Sequence, residues 1–192
     1  MASGPICYLV YDNPKWIARQ THLFNILDSD RDGKITIKDF KTFWVDHVVI
    51  GFNANENQAK NLADACISVG HAFGLKPGVT FDVNQYVKGV KELAIAELET
   101  AHRGEVTMMK KWLSALFDVV DANHDGSLSF TEWKNLCRTN PEMKEEEAQH
   151  MYDICDLNHD GRIDLEEFTA KVSAFWYTLD DSVAGLFGTA FV

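Results

Sequence analysis

Three segments of this 192-residue chain share one twelve-residue pattern of acidic residues and glycine. The segments are residues 28–39, 121–132 and 156–167. Each starts with aspartate, carries aspartate or asparagine at positions 3 and 5, and has glycine at position 6, an aliphatic residue at position 8 and a carboxylate at position 12. One such segment can be an Asx-rich turn that matches by chance, but three in one chain are not explained that way.

The spacing suits a hard divalent cation. Ca²⁺ takes about six to eight oxygen ligands, and a short segment supplies them only if the chain turns sharply at its sixth residue, where glycine tolerates positive φ. The pattern is that of the EF-hand calcium loop, in which side chains at positions 1, 3, 5 and 12 and the carbonyl at position 7 bind the ion. The expected ligands are Asp28, Asp30, Asp32, Lys34 and Asp39 in loop one, Asp121, Asn123, Asp125, Ser127 and Glu132 in loop three, and Asp156, Asn158, Asp160, Arg162 and Glu167 in loop four.

The three loops differ at position 12. Glu132 and Glu167 are long enough to chelate with both carboxylate oxygens, whereas Asp39 is one methylene shorter. Loop one is therefore expected to keep sixfold coordination, which suits Mg²⁺ or lowers selectivity for Ca²⁺. The same residues should start the exiting helices, because positions 9 and 12 have the spacing of a capping box.

A fourth loop is expected because EF-hands pair through the short strand at position 8. Residues 74–85 place Phe81 at that position and Gln85 at position 12. Positions 1, 3 and 5 are then Gly74, Lys76 and Gly78, which offer no carboxylate. This second loop should pair with loop one and bind nothing.

The predicted fold is all-α, with four EF-hand motifs in two paired lobes that form one compact globule. Residues 1–102 would hold loops one and two, and residues 106–192 would hold loops three and four, with a joint at 103–105. Residues 180–192 form an apolar, glycine-containing tail that is too hydrophobic for a free solvated end.

Composition limits the partners. The formal charge of −11 argues against nucleic acid and anionic membranes, and no run approaches the roughly 18 apolar residues of a membrane span. The four cysteines, Cys7, Cys66, Cys137 and Cys155, form no CxxC pair, and no apolar N-terminal segment precedes a small-residue cleavage site. A reduced, cytoplasmic monomer is the expected form.

Aromatic residues are unusually numerous, with 5 Trp, 12 Phe and 5 Tyr. The tryptophans are spread over different predicted helices. They would either line one internal cavity or form an aromatic core between the lobes, and spacing alone leaves both open.

Four segments resemble a known family. Residues 12–17, 111–118, 131–134 and 175–180 are similar to the corresponding parts of the cnidarian calcium-regulated photoproteins, and the similarity extends over nearly the whole chain. The resemblance implies a two-lobed fold around an apolar cavity that holds peroxidised coelenterazine beneath the C-terminal tail. It also implies that Trp112, Trp133 and Trp176 stand at cavity positions.

The polar residues of that cavity are not retained. Gln20 and Val172 replace histidines of the family, Leu136 and Phe187 replace tyrosines, and Val90 replaces a tryptophan. Aliphatic and phenyl side chains neither donate hydrogen bonds to a peroxide nor relay a proton. No catalytic residue is assigned, and a non-luminous or weakly luminous calcium binder with an apolar ligand is the expected function. The alternative is a calcium-triggered, coelenterazine-oxidising photoprotein with a rearranged site.

Overall fold

The structure, a computed structural model, describes residues 10–138, 140 and 143–187. In the first half the helices are α1 Pro14–Leu27, α2 Ile37–Lys41, α3 His47–Gly51, α4 Glu56–Ala72 and α5 Val83–His102, and the strands are β1 Ile35–Thr36 and β2 Thr80–Phe81. In the second half the helices are α6 Met108–Val120, α7 Phe130–Cys137, α8 Glu145–Cys155 and α9 Leu165–Tyr177, and the strands are β3 Ser127–Leu128 and β4 Ile163–Asp164. A π-helical turn, Thr42–Asp46, joins α2 to α3, and a 3₁₀ turn, Asp181–Val183, follows α9.

Side-chain caps start the helices where the sequence predicts. The Asn13 side chain accepts a hydrogen bond from the Lys15 amide at 2.9 Å, and Pro14 occupies the first turn, where its missing N–H costs nothing. Each exiting helix of the four loops starts with a capping box. The pairs are Thr36 with Asp39, Asp82 with Gln85, Ser129 with Glu132, and Asp164 with Glu167.

The four loops form two pairs through short strands, as expected from the second loop found at residues 74–85. Strands β1 and β2 are antiparallel, with Ile35 opposite Phe81, and strands β3 and β4 are antiparallel, with Leu128 opposite Ile163. Each of these residues holds position 8 of its loop. The degenerate second loop is therefore a structural partner of loop one, and the predicted all-α architecture of paired EF-hands is confirmed.

The two halves share one core, because α4 packs along α6 and α5 contacts α9. Trp44, in the π-helical turn, lies at the centre of this core. Its ring centroid is 4.9 Å from that of Trp112, 6.2 Å from that of Trp176 and 5.1 Å from that of Phe187. Edge-to-face packing of this kind stabilises beyond the buried area alone.

One helix contact depends on glycine. Gly89 in α5 lies against the end of α4, and a Cβ at this position would be 2.4 Å from the Phe73 carbonyl oxygen. Only a residue without a side chain fits there. At Gly51, by contrast, a Cβ would meet nothing within 4 Å.

The segment after α9 is held by α1. The buried Arg19 side chain donates to the carbonyl oxygens of Phe175 at 3.2 Å, Thr178 at 3.1 Å and Asp180 at 2.9 Å. Trp16 Nε1 donates to the Trp176 carbonyl at 2.8 Å. These donors satisfy carbonyl groups at the helix end that have no intrahelical partner, and so fix where the tail leaves α9.

The large apolar residues of the predicted tail are buried or partly buried as far as the tail is described, whereas Asp181 and Ser182 are exposed. Val183 and Leu186 lie in the core, and Phe187 packs against Trp44 and Trp176. Residues 188–192, which include Val192, lie outside the described residues. In the part of the chain that is described, no helix is both long enough and apolar enough to cross a membrane.

Candidate functional site

The three carboxylate loops have the same internal hydrogen bonds. In loop one, the Asp28 carboxylate accepts from the Asp32 amide at 3.1 Å and from the Gly33 amide at 2.9 Å. Asp121 makes the corresponding contacts at 3.2 and 2.9 Å, and Asp156 makes them at 3.2 and 2.9 Å. The first ligand of each loop is therefore held in place by the loop's own backbone.

Two positions in each loop adopt left-handed backbone. The glycines at position 6 have φ of 79°, 86° and 83°, as the spacing predicts. Position 4 is also left-handed, with φ of 59° at Arg31, 55° at His124 and 59° at His159. Sequence reasoning missed position 4, because its arginine and histidines carry no glycine signal there; only the position within the loop marks it.

The oxygen side chains converge as a hard cation requires. In loop one, ligand atoms of Asp28, Asp30 and Asp32 lie within 4.8 Å of one another. Asp28 is nearly buried, whereas Asp30 and Asp32 are exposed. Clustered carboxylates repel one another without a counter-charge, and oxygen-only donors are the set that Ca²⁺ and Mg²⁺ prefer. The residues present therefore fit a divalent ion.

The position-12 glutamates span their loops. Glu132 Oε2 accepts from the Ser129 amide at 2.8 Å, while Glu132 Oε1 reaches across to the Ala122 amide at 3.1 Å. Glu167 Oε1 likewise accepts from the amides of Leu157 at 2.9 Å and Asn158 at 3.1 Å. One oxygen thus starts the exiting helix, and the other closes the loop onto the entering side.

Asp39 makes only the first of these connections. Its Oδ2 accepts from the Thr36 amide at 2.9 Å and from the Thr36 hydroxyl at 2.7 Å. Among the described residues, no hydrogen bond joins Asp39 to the entering side of loop one. The missing methylene predicted to distinguish this loop therefore has a visible consequence in how the loop is closed.

Loop two has the backbone of a turn without the ligands. Gly74 and Gly78 have φ of 101° and 80°, and Gln85 caps α5 through Asp82. The side chain at position 3 is Lys76. That this loop stays empty of metal remains a prediction.

Arg162, at position 7 of loop four, does more than supply a carbonyl. Its Nε donates to the Ser127 hydroxyl at 2.8 Å, and its Nη2 pairs with the Asp125 carboxylate. The hydrogen bond from this guanidinium, together with smaller contributions from hydrogen bonds of Asn123 and Ser127, lowers the pKa of Asp125 to about 2. The sequence interpretation considered only the backbone carbonyl of Arg162, and nothing in a single loop pattern shows where this side chain points.

The predicted cavity tryptophans divide between two small cavities. Trp112 and Trp176, with ring centroids 5.7 Å apart, line a cavity of about 20 Å³. Trp133 lines another of about 40 Å³, and its Nε1 donates to the Ala148 carbonyl at 2.9 Å. Trp44 lines both. The aromatic residues therefore fill most of the interior.

These volumes are small for an organic ligand. A cavity of 20–40 Å³ holds about one water molecule, whereas pockets for drug-sized ligands are roughly 300–1,000 Å³. Trp112 Nε1 and Gln20 Oε1 are nevertheless among the buried polar atoms that have no hydrogen-bond partner in the described part of the chain. As packed, the interior does not fit a ligand the size of coelenterazine, although it retains a free donor and a free acceptor.

The described cysteines behave as buried hydrophobic residues. Cys66 and Cys155 are fully buried, Cys137 is partly buried, and all three are free thiols. Burial raises the pKa of Cys137 and of Cys155 to about 12. Cys7 lies outside the described residues.

Comparison with known proteins gives one family. A model of the EF-hand domain pair matches residues 110–173, and a model of the EF hand matches residues 20–44. Aequorin-2 of Aequorea victoria is 35% identical over 181 residues, which cover 94% of this chain and 92% of aequorin-2. The chain belongs to the photoprotein family. It is a calcium-binding EF-hand protein of the photoprotein type.

Solved structures of photoproteins have the same fold. The apoaequorin complex with (S)-HM-daCTZ aligns with a TM-score of 0.85 at 33% identity, covering 98% of this chain and 97% of that one. Calcium-loaded apo-aequorin from Aequorea victoria aligns with a TM-score of 0.81 at 33% identity, covering 88% of this chain and 93% of that one. The family membership predicted from the four sequence segments is confirmed.

Proposed function

We propose that this member of the photoprotein family binds three Ca²⁺ ions and emits no light, or very little, when it does so. The observation that carries the calcium proposal is the hydrogen-bonded aspartate at position 1, which is repeated in loops one, three and four with nearly the same geometry. The calcium-loaded structure of apo-aequorin supports it by similarity.

The chain's own residues account for binding. Asp28, Asp121 and Asp156 are held by backbone amides before an ion arrives, which reduces the ordering cost of binding. Glu132 and Glu167 belong both to their loops and to the first turns of α7 and α9. Rearrangement of these carboxylates around an ion therefore acts directly on the start of each exiting helix.

The interior supports the absence of light emission. Leu136, Val172 and Phe187 face the larger cavity and provide no side-chain donor or acceptor. Gln20 is buried, and among the described residues its side chain makes a long hydrogen bond, in which Nε2 donates to the Phe175 carbonyl at 3.4 Å. Stabilising a peroxide and moving a proton require oriented polar groups, which this set lacks.

A second function, binding of an apolar ligand, is favoured by one observation. Trp112 Nε1 and Gln20 Oε1 are buried polar atoms without a hydrogen-bond partner among residues 10–138, 140 and 143–187, and burial of such atoms normally costs free energy. A heterocycle that satisfied both would recover that cost. It would have to displace Trp44, whose side chain lines both cavities.

Two measurements test these proposals. Calorimetric titration with Ca²⁺ should give a stoichiometry near three, falling by one in Glu132→Gln and in Glu167→Gln. The matched control is Gln85→Glu, which keeps the cap of α5 in the silent loop and should leave the stoichiometry at three. Four sites in the unaltered chain would refute the assignment of loop two.

Light emission is tested after overnight incubation with coelenterazine, oxygen and a reductant, followed by a calcium jump. We expect the light emission to be near background. We also expect coelenterazine to bind weakly, as measured by quenching of tryptophan fluorescence. Strong emission from the unaltered chain would refute the non-luminous proposal and establish the calcium-triggered oxygenase. Tight binding without light would establish the ligand-binding function.

A further inference from the structure

The side chain of Arg162 leaves loop four and lies on loop three. Nε donates to the Ser127 hydroxyl at 2.8 Å, and Nη2 donates to the Ser127 carbonyl at 3.3 Å and to the Asp125 carboxylate. The antiparallel pairing of β3 with β4 places Ser127 opposite Asp164 and so brings the two loops to this distance. Two of the three acceptors, the Asp125 carboxylate and the Ser127 carbonyl, are expected ligands at positions 5 and 7 of loop three.

A fixed positive charge therefore sits on the ligand atoms of the neighbouring site. Arginine stays protonated throughout the accessible pH range, so the charge is not relieved by loss of a proton. An incoming Ca²⁺ both competes for Asp125 and is repelled by the guanidinium at a separation of a few ångströms. We propose that Arg162 of loop four is an affinity-determining residue for loop three, where it weakens Ca²⁺ binding by occupying Asp125 and Ser127.

The effect runs in one direction. Ser127, at position 7 of loop three, is neutral, so loop three places no charge on loop four from the equivalent position. Lys34, at position 7 of loop one, is a cation, but the paired loop two has Gly74, Lys76 and Gly78 where ligands would be. Lys34 therefore has no neighbouring metal site to act on.

The inference rests on the proposal that loop three binds Ca²⁺, and the experiment separates the two. In a chain carrying Asp28→Asn and Glu167→Gln, loop three is the single intact site. Calorimetry in this background should show one site, which is lost when Glu132→Gln is added. If no site is seen, the calcium proposal fails for loop three and this inference fails with it.

If one site is seen, Arg162→Gln decides the inference. We expect its Kd for Ca²⁺ to fall about tenfold at low ionic strength, with a smaller gain at about 0.5 M salt, where charge interactions are screened. Lys88→Gln, which removes one positive charge from the exposed surface of α5 outside all four loops, should leave Kd unchanged. Arg162→Lys, which keeps the charge but loses the planar fork, should give a Kd between those of the parent chain and Arg162→Gln. A Kd for Arg162→Gln equal to or weaker than that of the parent chain overturns the inference.

A second readout uses the unaltered protein and needs no variant to fold. In ¹⁵N NMR, the Nη2 protons of Arg162 should be protected from exchange in the metal-free chain, because Nη2 donates to the Asp125 carboxylate and to the Ser127 carbonyl. Calcium should remove that protection as Asp125 and Ser127 turn to the ion. Protection that persists at saturating Ca²⁺ overturns the competition.

Discussion

Lengthening one side chain should change which ion loop one prefers. Glu132 Oε1 and Glu167 Oε1 reach the entering sides of their loops, with contacts to Ala122 at 3.1 Å and Leu157 at 2.9 Å, whereas Asp39 stops at its capping contact. Asp39→Glu should therefore bring a second carboxylate oxygen into the loop. The cap should survive, because glutamate occupies the same capping position in α7 and α9.

The size of the effect follows from one added charge-assisted contact. Such contacts are worth roughly 1.5–3 kcal/mol net, and the lower end of this range corresponds to about tenfold in Kd. We expect Ca²⁺ to bind loop one about tenfold more tightly in Asp39→Glu. The Kd of loop one for Mg²⁺ should change by less than about twofold, because the octahedral coordination shell of Mg²⁺ has no place for a seventh oxygen.

The assay is calorimetric titration with each ion in a chain that carries Glu132→Gln and Glu167→Gln, so that loop one alone reports. Asp39→Asn is the control, because it keeps the length of the side chain and removes its charge. It should weaken the binding of both Ca²⁺ and Mg²⁺. An unchanged ratio of Ca²⁺ to Mg²⁺ affinity in Asp39→Glu would refute the argument from coordination number.

Three further outcomes are expected. Gly89→Ala should lower the free energy of unfolding by about 1–3 kcal/mol, because its Cβ would overlap a backbone oxygen. The control Gly51→Ala should leave the free energy of unfolding unchanged or raise it. Chemical denaturation of the metal-free chain measures both variants, and equal effects would contradict the close approach at Gly89. In the folded chain, Cys137 and Cys155 should react with iodoacetamide at pH 8 far more slowly than they do in the unfolded chain, since a pKa of about 12 leaves little thiolate. Peptide mapping measures both rates, and equal rates in the two states would contradict the burial of these thiols. Calcium should shift tryptophan emission reversibly, because Trp133 directly follows Glu132 in α7; an unaltered spectrum would indicate that α7 does not move.

Local pattern predicted much of this fold. Glycine at position 6 and the capping pairs act within a few residues, so spacing alone located the loops and the starts of the exiting helices. The pairing of Ile35 with Phe81 also followed, because position 8 is a strand in every EF-hand. These features depend on backbone geometry that is set by sequence neighbours.

The remaining features depend on residues far apart in the chain. The reach of Arg162 to Asp125 requires two paired loops, and the central place of Trp44 requires both halves to be packed. The π-helical turn at 42–46 lies between two α-helices, and no proline or glycine marks it in the sequence. Spacing identified tryptophans as interior residues without showing that they fill the interior.

The attachment of the last segment has a consequence for how freely this chain can diverge. Arg19 and Trp16 donate hydrogen bonds to main-chain carbonyl oxygens of this segment, and Asn140 Nδ2 donates to the Phe187 carbonyl at 2.7 Å. Every residue type supplies a carbonyl oxygen, so the positions that are gripped can change identity without releasing the segment. The three donor side chains cannot be replaced as freely, because few residue types supply a donor in the same position. Mutational tolerance should therefore be higher at Thr178 and Asp180, which lie outside the buried core, than at the distant residues that bind their carbonyl groups.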